Sequence, residues 1–85
     1  MNHLIVTVGD SFSGRKFDLE VPKDVESETL LDDILETLRG YAPELQWRIS
    51  EVALWNRRLG RMLKPGETLE EAGVWNGDIL YLAQK

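Results

Sequence analysis

Few residues in this sequence are of a type that could do chemistry. His3 is the only histidine, and it stands at the chain start with no partnering motif around it. It reads as a solvated strand-start residue rather than a general base. The chain has no cysteine, which excludes disulfides, thiol nucleophiles and sulfur-ligated metals. The acid pairs Asp32-Asp33 and Glu70-Glu71 fall where helices are expected to begin, and the helix macrodipole accounts for them without a metal. The sequence contains no oxygen-ligand calcium loop, no zinc-type His/Cys spacing and no glycine-rich loop entering a helix. The expectation is therefore no catalytic residue, no metal, no cofactor and no small-molecule substrate. What remains is recognition. Residues 48–64 hold five cations against the single anion Glu51, in a chain of net charge −5. Overall acidity argues against non-specific nucleic-acid binding. The local group Arg57, Arg58 and Arg61 fits either an acidic partner surface or a solvated turn.

The elements that must position these residues follow from hydrophobic periodicity. Leu4, Val6 and Val8 alternate along a first strand, and Phe17, Leu19 and Val21 along a second. Residues 9–14, rich in Gly, Ser and Asp, make the intervening turn. Pro22 ends the second strand. Leu31, Ile34, Leu35 and Leu38 form one buried stripe of a helix over about residues 29–39. Thr29 with Asp32 is read as its N-terminal capping box, Gly40 as its left-handed cap, and Pro43 as the stop. Val52-Ala53-Leu54-Trp55 is a strand with Val52 and Leu54 inward, Asn56-Arg57-Arg58 a turn, and residues 59–63 a short return. Pro65-Gly66 is a turn, and Thr68 caps a helical turn with Glu71 at its third position. Asn76-Gly77 predicts a type I′ turn that Asp78 caps. Ile79-Leu80-Tyr81-Leu82 is the last strand, with Leu80 and Leu82 inward. Trp47 and Trp75 are assigned to the ends of the core. With 85 residues, residues 1–85 are one domain of the α+β class. One helix covers one face of a mixed four- to five-stranded sheet, leaving the other face open.

This order and several motifs resemble ubiquitin. Phe17-Asp18-Leu19-Glu20-Val21 is similar to its second strand, and Leu63-Lys64-Pro65-Gly66-Glu67-Thr68-Leu69 to its Leu-x-x-Gly-x-Thr-Leu turn. Residues 68–80 resemble more closely the ending of YukD-like proteins, in Thr68-Leu69, Glu71-Ala72-Gly73-Val74, Gly77-Asp78 and Leu80. These are small bacterial ubiquitin-like proteins of type VII secretion systems. The resemblance implies a β-grasp fold and a role as an accessory cytosolic component of such a system. The implied partner is a protein, a membrane or ATPase component of the apparatus.

Carried over position by position, the hydrophobic patch that partners bind on ubiquitin becomes Phe12, Ala53, Tyr81 and Ala83, with Trp55 nearby. Its centre is small and its rim aromatic. The candidate partner-binding set is thus Phe12, Ala53, Trp55, Tyr81 and Ala83, together with Arg57, Arg58 and Arg61. Conjugation in the manner of ubiquitin or the sulfur carriers requires a flexible Gly-Gly tail, and only Gln84-Lys85 follow the last strand. The expectation is an unconjugated, non-enzymatic interaction module. Alternatives are a ubiquitin-like domain of another system or parent protein, and an RNA-contacting β-grasp module using the three arginines. The N-terminus lacks a basic region before its short apolar stretch, and no run reaches the ~18 apolar residues of a membrane span. A cytoplasmic location, without membrane insertion, is expected.

Overall fold

The computed structural model describes residues 2–45 and 47–85. In chain order the elements are β1 (His3–Asp10), β2 (Lys16–Pro22), α1 (Ser27–Tyr41), a 3-10 turn (Ile49–Glu51), β3 (Val52–Asn56), β4 (Arg61–Met62), α2 (Leu69–Ala72) and β5 (Ile79–Gln84). The strands form one five-stranded sheet in the order β2-β1-β5-β3-β4. β1 and β5 run parallel at its centre, and every other pair is antiparallel. This is the expected β-grasp arrangement.

Alternation along the strands decides which side chains reach the helix. Val6, Val8, Val52, Leu54, Leu80 and Leu82 are essentially inaccessible to solvent. They meet Leu30, Leu31, Ile34, Leu35 and Leu38 from α1 in one core. Burying a side chain of this size stabilises the fold by roughly 1.5–3 kcal/mol. Leu63, Leu69 and Val74 close the core beneath the second half of the chain.

The helix differs from the sequence expectation at both ends. It starts at Ser27, two residues before Thr29, and Glu26 is its N-cap with no side-chain cap bond. Thr29 is an exposed residue of the first turn. The helix start is anchored instead from across the molecule, through Ser27. The Ser27 N–H donates to the Glu67 carbonyl at 2.8 Å, and its hydroxyl donates to the Lys64 carbonyl at 2.8 Å. At the other end Gly40 stays helical, and the Ala42 N–H closes the helix on the Leu38 carbonyl at 2.7 Å. Ala42 is fully buried, and Tyr41 stacks on Phe17 with ring centroids 6.4 Å apart. Packing therefore extends the helix past its glycine, and Pro43 follows.

Two further turns resolve differently from each other. Thr68 forms the expected capping box with Glu71, and Gly73 ends α2 in the left-handed region at φ 79°. The turn at Asn76-Gly77 is not type I′, because only Gly77 has positive φ (88°). The Asn76 carboxamide instead accepts the Ile5 N–H at 2.7 Å, while the Asp78 N–H closes the turn on the Trp75 carbonyl at 3.0 Å.

These two threonines give a paired prediction for urea denaturation. Thr68→Ala removes a cap and is expected to cost about 1 kcal/mol. Thr29→Ala replaces a mid-turn threonine with a better helix former and is expected to be neutral or to stabilise by a few tenths of a kcal/mol.

Candidate interaction face and its supporting network

The sheet face turned away from α1 carries the out-of-phase residues of each strand. Ala53 and Ala83 sit opposite each other in the β3–β5 ladder, and Trp55 sits opposite Tyr81. Four members of the expected partner-binding set thus stand as two adjacent cross-strand pairs. Trp55 is about one-third exposed, and Tyr81, Ala53 and Ala83 are half-buried. Met62 pairs with Trp55 at one end of this strip. Ile79, opposite Thr7, and the exposed Ile5 extend it across the centre of the sheet. Ile5, Ile79 and Met62 were not among the expected residues. The same period-two rule would have found Ile5 and Ile79, since each is out of phase with a buried neighbour.

Gly9 explains how Tyr81 lies on this face. The two residues are neighbours in the parallel β1–β5 ladder. A Cβ added at Gly9 would stand 2.8 Å from the Tyr81 ring. The absence of a side chain lets the ring lie down over β1, so Tyr81 contributes a flat surface beside Trp55.

Phe12 is placed differently from the other four. It is 76% exposed at the hairpin tip, but its ring stacks on Trp47 at 5.3 Å. Trp47 packs against the core as expected, and its indole N–H donates to the Asp10 carboxylate at 2.9 Å. Burial alone would raise the Asp10 pKa. Hydrogen bonds from Ser13, Trp47 and the Phe12 backbone outweigh that and hold it below the usual carboxylate value. The tip is thereby fixed, and Phe12 lines a separate cleft with Trp47, Glu51 and Gln84.

The three arginines do not form a common cationic surface. Arg58 grips Asp78 through Nε at 3.0 Å and a terminal nitrogen at 3.0 Å, and that terminal nitrogen also donates to the Gly73 carbonyl. Its guanidinium lies 3.7 Å above the Trp75 ring. Trp75 is therefore 63% exposed under a cation, not an end piece of the core. Arg61 forms a two-pronged pair with Glu67 at 2.9 and 3.0 Å. Arg57 keeps an exposed side chain beside Ile79 and Gly77, next to the apolar strip.

Asp78 is the hub of this region. It is 8% exposed and also accepts the Asn56 carboxamide N–H at 3.1 Å and the Trp75 N–H at 2.9 Å. Asn56, itself fully buried, accepts the Leu59 N–H at 2.9 Å. Burial pushes the Asp78 pKa up, but the bonds from Arg58, Trp75 and Asn56 dominate and the net shift is downward. Among the described residues no cluster of His, Cys, Asp and Glu could hold a metal ion. No helix among them is long and apolar enough to cross a membrane.

An α-helix packed on one face of a five-stranded mixed sheet, with the other face open, defines a ubiquitin-like β-grasp protein. The YukD family model, described as "WXG100 protein secretion system (Wss), protein YukD", matches residues 3–82, and the chain belongs to that family. Among solved structures, it resembles the ubiquitin-like domain of the Mycobacterium tuberculosis type VII secretion protein ECCD1. The identity is 26% and the TM-score 0.74, over 98% of this chain and 99% of that one. It also resembles the EccD5 ubiquitin-like domain from Mycobacterium xenopi, with 16% identity and TM-score 0.81, over 100% and 97% of the two chains. A chain of the MycP5-free ESX-5 inner membrane complex matches with 18% identity and TM-score 0.81. All of this chain is covered there, but only 21% of that one. Among curated proteins there is no match.

Two outcomes follow from the network and the face. Replacing Asp78 with Asn leaves Arg58 without its anion and is expected to cost roughly 1–3 kcal/mol near neutral pH. The Asp78 pKa is lower folded than unfolded, so its contribution is complete above the unfolded value of about 4 and is lost as pH falls through the folded value. Acid titration of wild-type stability should therefore be steeper than that of Asp78→Asn. Gly9→Ala should cost about 1–3 kcal/mol by displacing the Tyr81 ring, seen as a lower urea midpoint and a shifted Tyr81 ring resonance.

Proposed function

We propose that this chain is a non-enzymatic binding component of a bacterial type VII secretion apparatus. It docks a protein of that apparatus, a membrane or ATPase component, on the outer face of its sheet. The carrying observation is the Trp55–Tyr81 pair beside the Ala53–Ala83 pair, on the sheet face turned away from α1. Aromatic side chains around a small-residue floor supply contact area with little entropy to lose, the composition of interface hot spots. Arg57 at the edge of the strip supplies a cation for an acidic rim on the partner.

Membership of the YukD family and likeness to type VII ubiquitin-like domains support the system named. The likeness to part of an inner membrane complex supports a cytosolic position against a membrane-bound assembly. The pairing of Arg58 with Asp78 and of Arg61 with Glu67 favours a protein partner over RNA, because those cations are already neutralised within the fold. The acids whose pKa values are lowered are held by structural hydrogen bonds, which suits bracing rather than proton transfer.

The test is affinity capture from the native organism with the tagged full chain. Wild type should retain apparatus components, and Trp55→Ala with Tyr81→Ala should lose them while keeping a native far-UV spectrum. Equal recovery by both proteins would sink the assignment of this face. A Phe12→Ala variant reports separately on the hairpin tip.

A further inference from the structure

A second surface, distinct from the outer sheet face, lies along the edge of the sheet. β4 occupies one edge with only two residues, whereas β2 occupies the other with seven. The phase of the β1–β2 ladder follows from its two ends. The Asp10 N–H donates to the Arg15 carbonyl at 2.9 Å, and the Lys23 N–H donates to the Asn2 carbonyl at 2.8 Å. With the register Val8–Phe17, Val6–Leu19 and Leu4–Val21, those three pairs exchange the ladder hydrogen bonds. The backbone N–H and C=O groups of Lys16, Asp18 and Glu20 therefore point outward, away from β1.

Such a row is a template for strand addition, and natural proteins usually shorten, cover or bulge it, or guard it with charges and proline. Here it runs seven residues and is guarded by the charges of Lys16, Asp18 and Glu20 and by Pro22 at its end. An incoming strand must match those charges, and a groove runs beside the edge between β2 and α1. Leu19, Val21, Leu30 and Ile34 line this groove, with Asp33 and Thr37 on its helix rim. An added strand would send alternate side chains to the two sides of the sheet. One set would fall into the apolar groove. The other would stand on the outer face beside Lys16, Asp18 and Glu20, where the edge is net acidic.

The geometry points to β2 as a docking edge for an extended protein segment in which lysine or arginine alternates with aliphatic residues. The charges discriminate among the registers of a second copy of this chain. An antiparallel β2–β2 pair that sets Lys16 against Glu20 puts Asp18 against Asp18, a shift one way puts Asp18 against Glu20 twice, and only the opposite shift, Lys16 against Asp18 twice, brings unlike charges together. Like charges directly opposite destabilise a pair. This edge neither uses nor requires the Trp55–Tyr81 face, so the two surfaces can be occupied together.

The probe is a blocked seven-residue peptide alternating lysine and valine, titrated into the ¹⁵N-labelled full chain. Controls are the same length alternating glutamate and valine, and a block arrangement of the lysine peptide with identical composition. The expected result is saturable shifts along β2 and slowed hydrogen exchange of the Asp18 and Glu20 amides with the alternating lysine peptide only. Glu20→Lys with Asp33→Lys, both exposed positions, should weaken that binding roughly tenfold while leaving spectra outside this edge unchanged. Equal affinity of the two lysine peptides, or an unchanged affinity in the charge-reversed variant, would overturn the proposal. So would an absence of protection at the Asp18 and Glu20 amides, a readout that needs no variant. Protection that grows with protein concentration without peptide would assign the edge to a second copy and overturn it equally.

Discussion

A buried carboxylate governs the second half of this molecule. Asp78 is nearly inaccessible, and an ionised group in that position is tolerated only if its oxygens are fully met by donors. Arg58, Asn56 and the Trp75 amide meet them. Each donor comes from a different place: the β3–β4 turn, the end of β3, and the turn before β5. Satisfying one anion therefore ties the end of β3 and the β3–β4 turn to the turn that leads into β5. It also fixes where β5 begins against β3, and so which residues of the two strands stand opposite each other. The Trp55–Tyr81 pairing is a consequence of that register.

The same interaction changes the meaning of the basic stretch. In the linear sequence, Arg57, Arg58 and Arg61 form a cationic cluster of the kind that binds acidic surfaces or nucleic acid. In the fold, the guanidinium of Arg58 is committed to Asp78, Gly73 and Trp75, and that of Arg61 to Glu67. A planar guanidinium with several fixed donors is well suited to such bracing. Two of the three charges thus hold turns together. The acids that accept them lie 6 and 20 residues away in sequence, at distances where no local pattern reports the pairing.

Much of the candidate face was legible before the structure. Ala53, Trp55, Tyr81 and Ala83 follow from strand alternation, because a two-residue period forces them away from a helix that meets Val52, Leu54, Leu80 and Leu82. Ile5 and Ile79 obey the same rule, but the continuous apolar runs in which they sit blur the alternation. Phe12 is exposed at the hairpin tip, but its stacking on Trp47 depends on a connection whose path only packing sets. The hydrophobicity of Trp75 alone predicts a core position. A cation 3.7 Å above its ring makes an exposed position favourable instead.

The sheet, the helix face and the β-grasp order are legible in the linear chain, because they rest on periodicities that each segment carries within itself. The local cap at Thr68 was equally self-contained, with both halves of its hydrogen-bonded box three residues apart. The ends of α1 were not. Thr29 offered a local cap, yet the helix begins at Ser27 because the Glu67 and Lys64 carbonyls arrive there from the far side of the fold. Gly40 offered a local stop, yet Ala42 is buried and the helix runs on to reach it. In both places a tertiary contact outweighed a local preference worth about 1 kcal/mol. The pairing of Arg58 with Asp78 belongs to the same class. Hydrogen bonds between segments distant in sequence have no period to betray them, so only the assembled fold decides which polar groups meet.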